Sequence, residues 1–307
     1  MKRFTSLAAL TAIMLTSAAC GDDRDSSSAS ASTGTQASNT VTGDTVAGDA
    51  PQAIISLSPT HTEILFAIGA GDQVIAVDDQ SNYPAEALEK PHDLSGFEPN
   101  VEAIAALQPD LVVIGDDFKG LAAQLEPLGI ATWVSPAPTS FDEAYSQIEQ
   151  LGAATGRIGD AAELVAQMQA DIEAAIAAAP VLAEPATFYH ELDNTLFSVT
   201  SNTFIGHVYE QFNLVNIADG VAEGNDYPQL SAEYVVSSNP DLIFLADAKY
   251  SGESPETVAA RAGWDAIAAV QHGGVIIIDD DIASRWGPRL VDFVEAVSAA
   301  MATVPAA

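Results

Sequence analysis

In this chain of 307 residues, the side chains whose type and spacing could do chemistry are two glutamates, an arginine–tryptophan cluster, one histidine and one cysteine. Glu102 and Glu233 occupy matching places in a segment that occurs twice, 131 residues apart. Asn100-Val101-Glu102, ending in Pro109-Asp110-Leu111-Val112-Val113-Ile114-Gly115-Asp116, recurs as Ser231-Ala232-Glu233, ending in Pro240-Asp241-Leu242-Ile243-Phe244-Leu245-Ala246-Asp247. An acid in the first turn of a helix is favoured by the macrodipole alone. Placed once in each half of a molecule, two such acids could also be anionic pegs for cationic sockets on a partner, where rim charges set orientation and encounter rate. Arg285 and Arg289 flank Trp286; they could pair with the nearby acids, or Arg285 could hydrogen-bond a ligand while Trp286 packs on its apolar face. His61 stands in a turn entering a helix, open to a role as metal or haem ligand, polar contact or simple helix residue.

Around these residues the chain is acidic, with 43 Asp and Glu against 10 Lys and Arg and a formal charge of −33. Too few cations are present to cluster on a phosphate backbone, so a nucleic-acid binder of the usual kind is excluded. No nucleophile elbow, P-loop or dinucleotide glycine fingerprint occurs, and His190-Glu191 lacks the second histidine of a zinc protease. Cys20 is the only cysteine, which excludes an intrachain disulfide or a thiolate metal cluster. Acids stand after several apolar runs, at Asp78-Asp79, Asp116-Asp117, Asp247 and Asp279-Asp280-Asp281. They either cap helices and face water or line a cleft, in which case their repulsion favours a neutral or cationic ligand over a polyanion.

The elements that must position these residues are legible from periodicity. Strand-length apolar runs at 54–57, 74–77, 111–114 and 132–134 alternate with amphipathic stretches, and the alternation resumes at 187–189, 242–245 and 275–278. That pattern predicts α/β architecture with mainly parallel sheets, in two lobes of similar fold. Ser140 with Glu143, and Asp160 with Glu163, read as capping boxes. After the second, Leu164, Val165, Met168, Ile172 and Ile176 share one helical face until Pro180.

The N-terminus reads as an address. Lys2 and Arg3, an apolar run over 7–15 and small residues before Cys20 make residues 1–19 a signal peptide, too short to span a membrane. Cys20 suits a lipobox and lipid attachment, while Ser17-Ala18-Ala19 also suits ordinary secretory cleavage. Residues 20–50 are polar and small, a composition that favours a disordered, lipid-anchored tether.

Taken together, Ile55-Ser56-Leu57-Ser58-Pro59-Thr60-His61-Thr62-Glu63, Ser81-Asn82-Tyr83-Pro84, the two Glu-bearing repeats, Tyr227-Pro228-Gln229-Leu230-Ser231 and Ser284-Arg285-Trp286-Gly287-Pro288-Arg289 resemble the solute-binding proteins of ABC importers for cobalamin, ferric siderophores and haem. The resemblance implies two Rossmann-like α/β lobes, 51–156 and 181–307, joined by a single long helix, 157–180, with the ligand in the cleft between them. It implies no catalysis and no resident cofactor. The partners would be a permease with its cytoplasmic ATPase and a small metal chelate, and the protein would be a monomer outside the cell membrane. Glu102 and Glu233 match the family's permease-docking glutamates. Cleft positions carry over to Thr60, Phe197, Tyr227, Asp281 and Arg285, beside which His61 and Trp286 are read as cleft residues in their own right; Gln80, Gly96 and Gly115 stand where cobalamin-binding members have aromatics, with Phe97 and Phe118 close by to compensate. A secreted α/β enzyme using His61 or an Asp pair, or a surface scaffold, is the alternative.

Overall fold

The computed structural model describes residues 40–42 and 50–305. The expected signal peptide, Cys20 and most of the expected tether lie outside the described residues; within that tether, β1 (Thr40–Thr42) pairs antiparallel with residues 132–134.

The first lobe carries β2 (Ile54–Leu57), α1 (Pro59–Ala67), β3 (Val74–Val77), α2 (Val101–Ala106), β4 (Leu111–Ile114), α3 (Leu121–Leu125), β5 (Ala131–Val134) and α4 (Phe141–Thr155). After α5 (Ile158–Ala178) come β6 (Thr187–Glu191), α6 (Phe204–Glu210), β7 (Val215–Asn216), α7 (Ala232–Ser238), β8 (Leu242–Leu245), α8 (Ala248–Ser251), α9 (Pro255–Ala259), α10 (Ala268–His272), β9 (Val275–Ile277), α11 (Asp280–Ala283) and α12 (Leu290–Ala300). The parallel strands run β3-β2-β4-β5 in one sheet and β7-β6-β8-β9 in the other. Numbered within each lobe, both orders are the same, so the sequence repeat is a repeat of topology.

The physical basis of the repeat is visible at its Pro-Asp turn. The Asp110 carboxylate accepts the backbone N–H groups of Gln52 and Ala53 at 2.9 and 3.0 Å, tying the start of β4 to the start of β2. The Asp241 carboxylate accepts from the N–H and hydroxyl of Thr187 at 2.8 and 2.9 Å, tying β8 to β6 in the same way. Just before each turn the helix ends in a non-glycine residue in the left-handed region, Gln108 at φ 52° and Asn239 at φ 48°. Asn100 and Ser231 cap the two helices as expected, accepting from Ala103 N–H and Tyr234 N–H.

Strand residues alternate between two apolar compartments, which is why these runs are apolar throughout. Leu111 and Val113 of β4 and Leu242 and Phe244 of β8 face a core shared by both lobes with α4, α5 and α12. Val112 and Ile114 face an outer cluster of the first lobe, and Ile243 and Leu245 face one of the second. α5 is 21 residues long, about 32 Å at 1.5 Å per residue. It buries Ala161, Val165, Met168, Ile172 and Ala175, while Leu164 and Ile176 are only partly buried beside the core.

Two capping expectations change. α5 begins at Ile158 rather than after Asp160, because Gly156 closes α4 in the left-handed region at φ 75° and the chain turns straight into the next helix. At Ser140 the hydroxyl does accept from Glu143 N–H, but the Glu143 carboxylate bonds the N–H and hydroxyl of Thr139. Because Asp241 is the acceptor for two donors at the head of β6, Asp241→Ala is expected to lower unfolding stability by about 1–3 kcal/mol, read from the midpoint of a urea transition; an unchanged midpoint refutes the tie.

Candidate functional site

A cleft of about 780 Å³ opens where the carboxyl ends of both sheets converge, the place where open α/β sheets hold ligands. From the first lobe, Leu57 to Thr60 reach it after β2, Asp78 after β3 and Gly115 to Asp117 after β4. From the second, Leu192 follows β6, Asp247 follows β8, and Asp281, Arg285 and Trp286 come from α11 and the turn beyond it. Cleft residues thus come from strand ends in both repeats.

The wall is held by a buried interlobe ion cluster. Glu63 on α1 is 1% exposed, and its carboxylate accepts from Arg285 Nη1 at 2.8 Å and from Arg289 Nε and Nη2 at 2.9 and 2.6 Å. Arg285 also donates through Nη1 to Asn82 Oδ1, and through Nη2 to the Gln80 carbonyl and Asp281 Oδ1. Asp281 in turn accepts from Asn82 Nδ2 at 2.9 Å and Lys249 Nζ at 2.5 Å. Burial works against its charge, but the hydrogen bonds from Lys249 and Asn82 and the charge of Arg285 hold Asp281 below the usual carboxylate range. Both terminal nitrogens of Arg285 are therefore spent on protein partners.

Sequence reasoning and geometry agree for some cleft residues. Thr60, Phe97, Asp281, Arg285 and Trp286 border the cleft, with Trp286 Nε1 anchored on Gln147 Oε1 at 2.8 Å. His61 does not border it. The ring is fully buried, bonded to Ser58 Oγ at 2.8 Å and set edge-on to Trp133 and Trp286 at 5.0 and 6.0 Å. Burial lowers its pKa to about 3, although a bond with Gln147 works in the other direction; the imidazole is a neutral core residue. Phe197 and Tyr227 lie on two loops joined to each other by the Phe197–Gln229 bridge and the Ser198 N–H to Pro228 carbonyl bond. Neither is among the residues that line the cleft, and both are partly exposed on these paired loops.

Two further aromatics, Phe118 and Tyr250, join Phe97 and Trp286 at the cleft. Phe97, Phe118 and Tyr250 rim it and are 76, 85 and 66% exposed. Gly96 has no room for a side chain, since a Cβ there would lie 2.7 Å from the Leu57 carbonyl oxygen, and Gly115 is tight, with a Cβ 3.1 Å from Ser58 Oγ. Tyr250 escaped sequence reasoning because it sits in a short polar stretch without periodicity. Glu102 and Glu233 are exposed in the first turns of α2 and α7. Among the described residues, no group of three or more His, Cys, Asp or Glu could hold a metal ion.

Acids outnumber cations along the cleft, and several have no cation. Asp78 is 2% exposed and accepts from Ser81 Oγ, which also bonds Thr62; burial pushes its pKa up to about 6. Asp116, the repeat counterpart of Asp247, is likewise raised by burial. Removing the Glu63 carboxylate would leave two partly desolvated guanidinium groups facing each other. Glu63→Ala is accordingly expected to cost about 3–5 kcal/mol of stability, measured by denaturant unfolding, whereas a loss under 1 kcal/mol would show that the cluster contributes little.

Comparison with known proteins places this architecture. The sequence profile described as periplasmic binding protein matches residues 54–282. An uncharacterized ABC transporter substrate-binding lipoprotein of Bacillus subtilis, YvrC, is 31% identical over 299 residues, covering 93% of this chain and 92% of that one. The vitamin B12-binding protein of Vibrio cholerae is 31% identical over 258 residues, covering 80% of this chain and 87% of its own. The crystal structure of the periplasmic vitamin B12 binding protein BtuF of Vibrio cholerae superposes with a TM-score of 0.69 at 29% identity, covering 83% of this chain and 98% of that one. These relatives are binding proteins and not enzymes, which removes the secreted-enzyme alternative. The repeated lobes, the helix between them and the matched profile make this chain a member of the periplasmic binding protein family, whose members here are the substrate-binding components of ABC importers.

Proposed function

We propose that this protein captures a corrinoid, or an iron chelate of comparable bulk, outside the membrane and hands it to a permease driven by a cytoplasmic ATPase. The observation that carries the reading is the cleft itself: about 780 Å³, rimmed by exposed aromatics and lined by acids from both lobes. Aromatic faces pack on a large, partly apolar macrocycle. The uncompensated carboxyl groups disfavour a polyanion, so a neutral corrinoid or a cationic ferric hydroxamate suits the site better than a tris-catecholate. Relatives that bind vitamin B12 support the corrinoid.

Within this reading Thr60, Phe97 and Trp286 contact the ligand, with Phe118 and Tyr250 supplying the rim that the glycine positions lack. Arg285 and Asp281 serve the cleft mainly by fixing its wall. Phe197 and Tyr227 would meet only a ligand that extends past the mouth. Glu102 and Glu233 dock the permease, one from each lobe. Cys20 carries the lipid anchor, consistent with a lipoprotein relative, and the protein acts as a monomer.

Titration of the purified protein with cyanocobalamin, ferrioxamine B, haemin and a ferric tris-catecholate, followed by tryptophan and tyrosine fluorescence, tests the ligand class. Saturable submicromolar binding of cyanocobalamin or ferrioxamine B is expected; binding of neither refutes it. Glu102→Arg combined with Glu233→Arg is expected to abolish uptake in cells while leaving ligand affinity unchanged. Lost affinity, or uptake as before, would remove the pair from docking.

A further inference from the structure

Asp247 is the cleft carboxylate whose surroundings make least sense for structure alone. It is 2% exposed, and neither carboxylate oxygen has a hydrogen-bond partner. It occupies the N-cap position of α8, yet its side chain makes no capping bond. A buried carboxyl left without donors costs stability with no visible return, and this one borders the ligand cleft.

The groups packed around it explain why no cation of the protein serves it. Asp247 feels Glu191 from β6, Glu253 from the loop before α9, Arg261 from the end of α9, and Asp280 from α11. Arg261 is the cation of this group, and it is consumed. Its two terminal nitrogens grip the Glu191 carboxylate at 2.6 and 2.5 Å, Nη2 also meets Glu253 at 2.8 Å, and its plane lies over Trp264. Asp280 is held by the backbone N–H groups of Lys249 and Tyr250. Three carboxylates thus compete for one guanidinium, and Asp247 is left out. Burial first, then Glu191 and Glu253, push its pKa up to about 7.

From this placement we infer that Asp247 is a ligand-recognition residue, which takes an N–H donor of the bound chelate, a carboxamide or an ammonium, as the partner the protein withholds. The inference rests on the reading of the cleft as a chelate site and specifies which face of the ligand the second lobe reads. A donor N–H engages the ionised carboxylate and displaces a proton, so binding releases protons near neutral pH. Because ligand and proton compete for the same carboxylate, affinity weakens as pH falls from about 8 to about 5. A ligand presenting only carboxylates or phenolates to this wall would be refused. On the opposite wall burial also raises Asp78 and Asp116, so the difference in proton release between the wild type and the Asp247 variant isolates the share of Asp247.

The test is calorimetric titration of the wild-type protein and of Asp247→Asn with cyanocobalamin and ferrioxamine B as probes, at pH 7 in buffers of different ionisation enthalpy. Haemin and a ferric tris-catecholate are the donor-poor controls. Expected are release of roughly half a proton per ligand by the wild type, loss of that release in D247N, and affinity lower by about ten- to a hundredfold in the variant. Absence of proton release by the unmodified protein overturns the role whether or not the variant folds. Binding of cyanocobalamin or ferrioxamine B with no proton release, or with equal affinity in D247N, overturns the role of Asp247 and leaves the binding-protein reading intact. Preference for a donor-poor control overturns it as well, and binding of no probe overturns both.

Discussion

Everything about the cleft depends on one buried contact between the lobes, the Glu63 carboxylate held by Arg285 and Arg289. A charge that is 1% exposed survives only with close partners, and here those partners come from the far end of the chain. The contact fixes α1, and with it the turn carrying Thr60, against the segment carrying Trp286. Asn82, Gln80 and Asp281 extend the same network along the cleft wall, so the cleft wall and the contact between the lobes share one set of hydrogen bonds. α5 adds a continuous helical backbone between the sheets, packed along its length into the shared core. A helix and a buried ion cluster together resist hinge motion far better than a loop does, so the cleft is preorganised for its ligand.

The charge distribution follows a similar economy. Four of the chain's few cations, Lys249, Arg261, Arg285 and Arg289, are paired with buried or cleft-wall acids. Glu63 receives two, Glu191 one, and Asp281 shares two. Asp78 and Asp247 receive none, and burial raises both. Carboxyls that hold protons near neutrality make a cleft less negative than its residue count suggests, while still refusing a polyanion. The rest of the acid is largely solvated and sets a negative field that repels anions at a distance.

The repeat shows how much one segment can carry. In each lobe it supplies an N-capped helix, an exposed glutamate in the first turn, a left-handed residue closing that helix, an aspartate tying two strands together, a strand buried on both faces, and a second aspartate at the cleft. Outer and inner acids are thus set by the same element in both halves, separated by the length of a helix, a turn and a strand. Asp116 and Asp247 have nevertheless diverged in surroundings, since only the second sits beside a saturated guanidinium.

Local pattern determined most strands, some of the helices, the two-lobed α/β architecture and the places of the glutamate pair, because apolar runs, caps and Pro-Asp turns act over a few residues and read the same in any context. Resemblance added the family and the cleft's position. Tertiary structure alone decided which side chains line the cleft. His61 went to the core, where Trp133 and Trp286 close around it, and Phe197 and Tyr227 sit on loops that pair with each other. Gly96 stayed bare because the Leu57 backbone fills the space a side chain would need. Arg285 became a lobe fastener through partners some two hundred residues away in sequence, and Asp247 lost its cation to Glu191 and Glu253. Each of these outcomes is a competition between groups distant in sequence for one volume or one charge, and a linear pattern carries no record of who wins it.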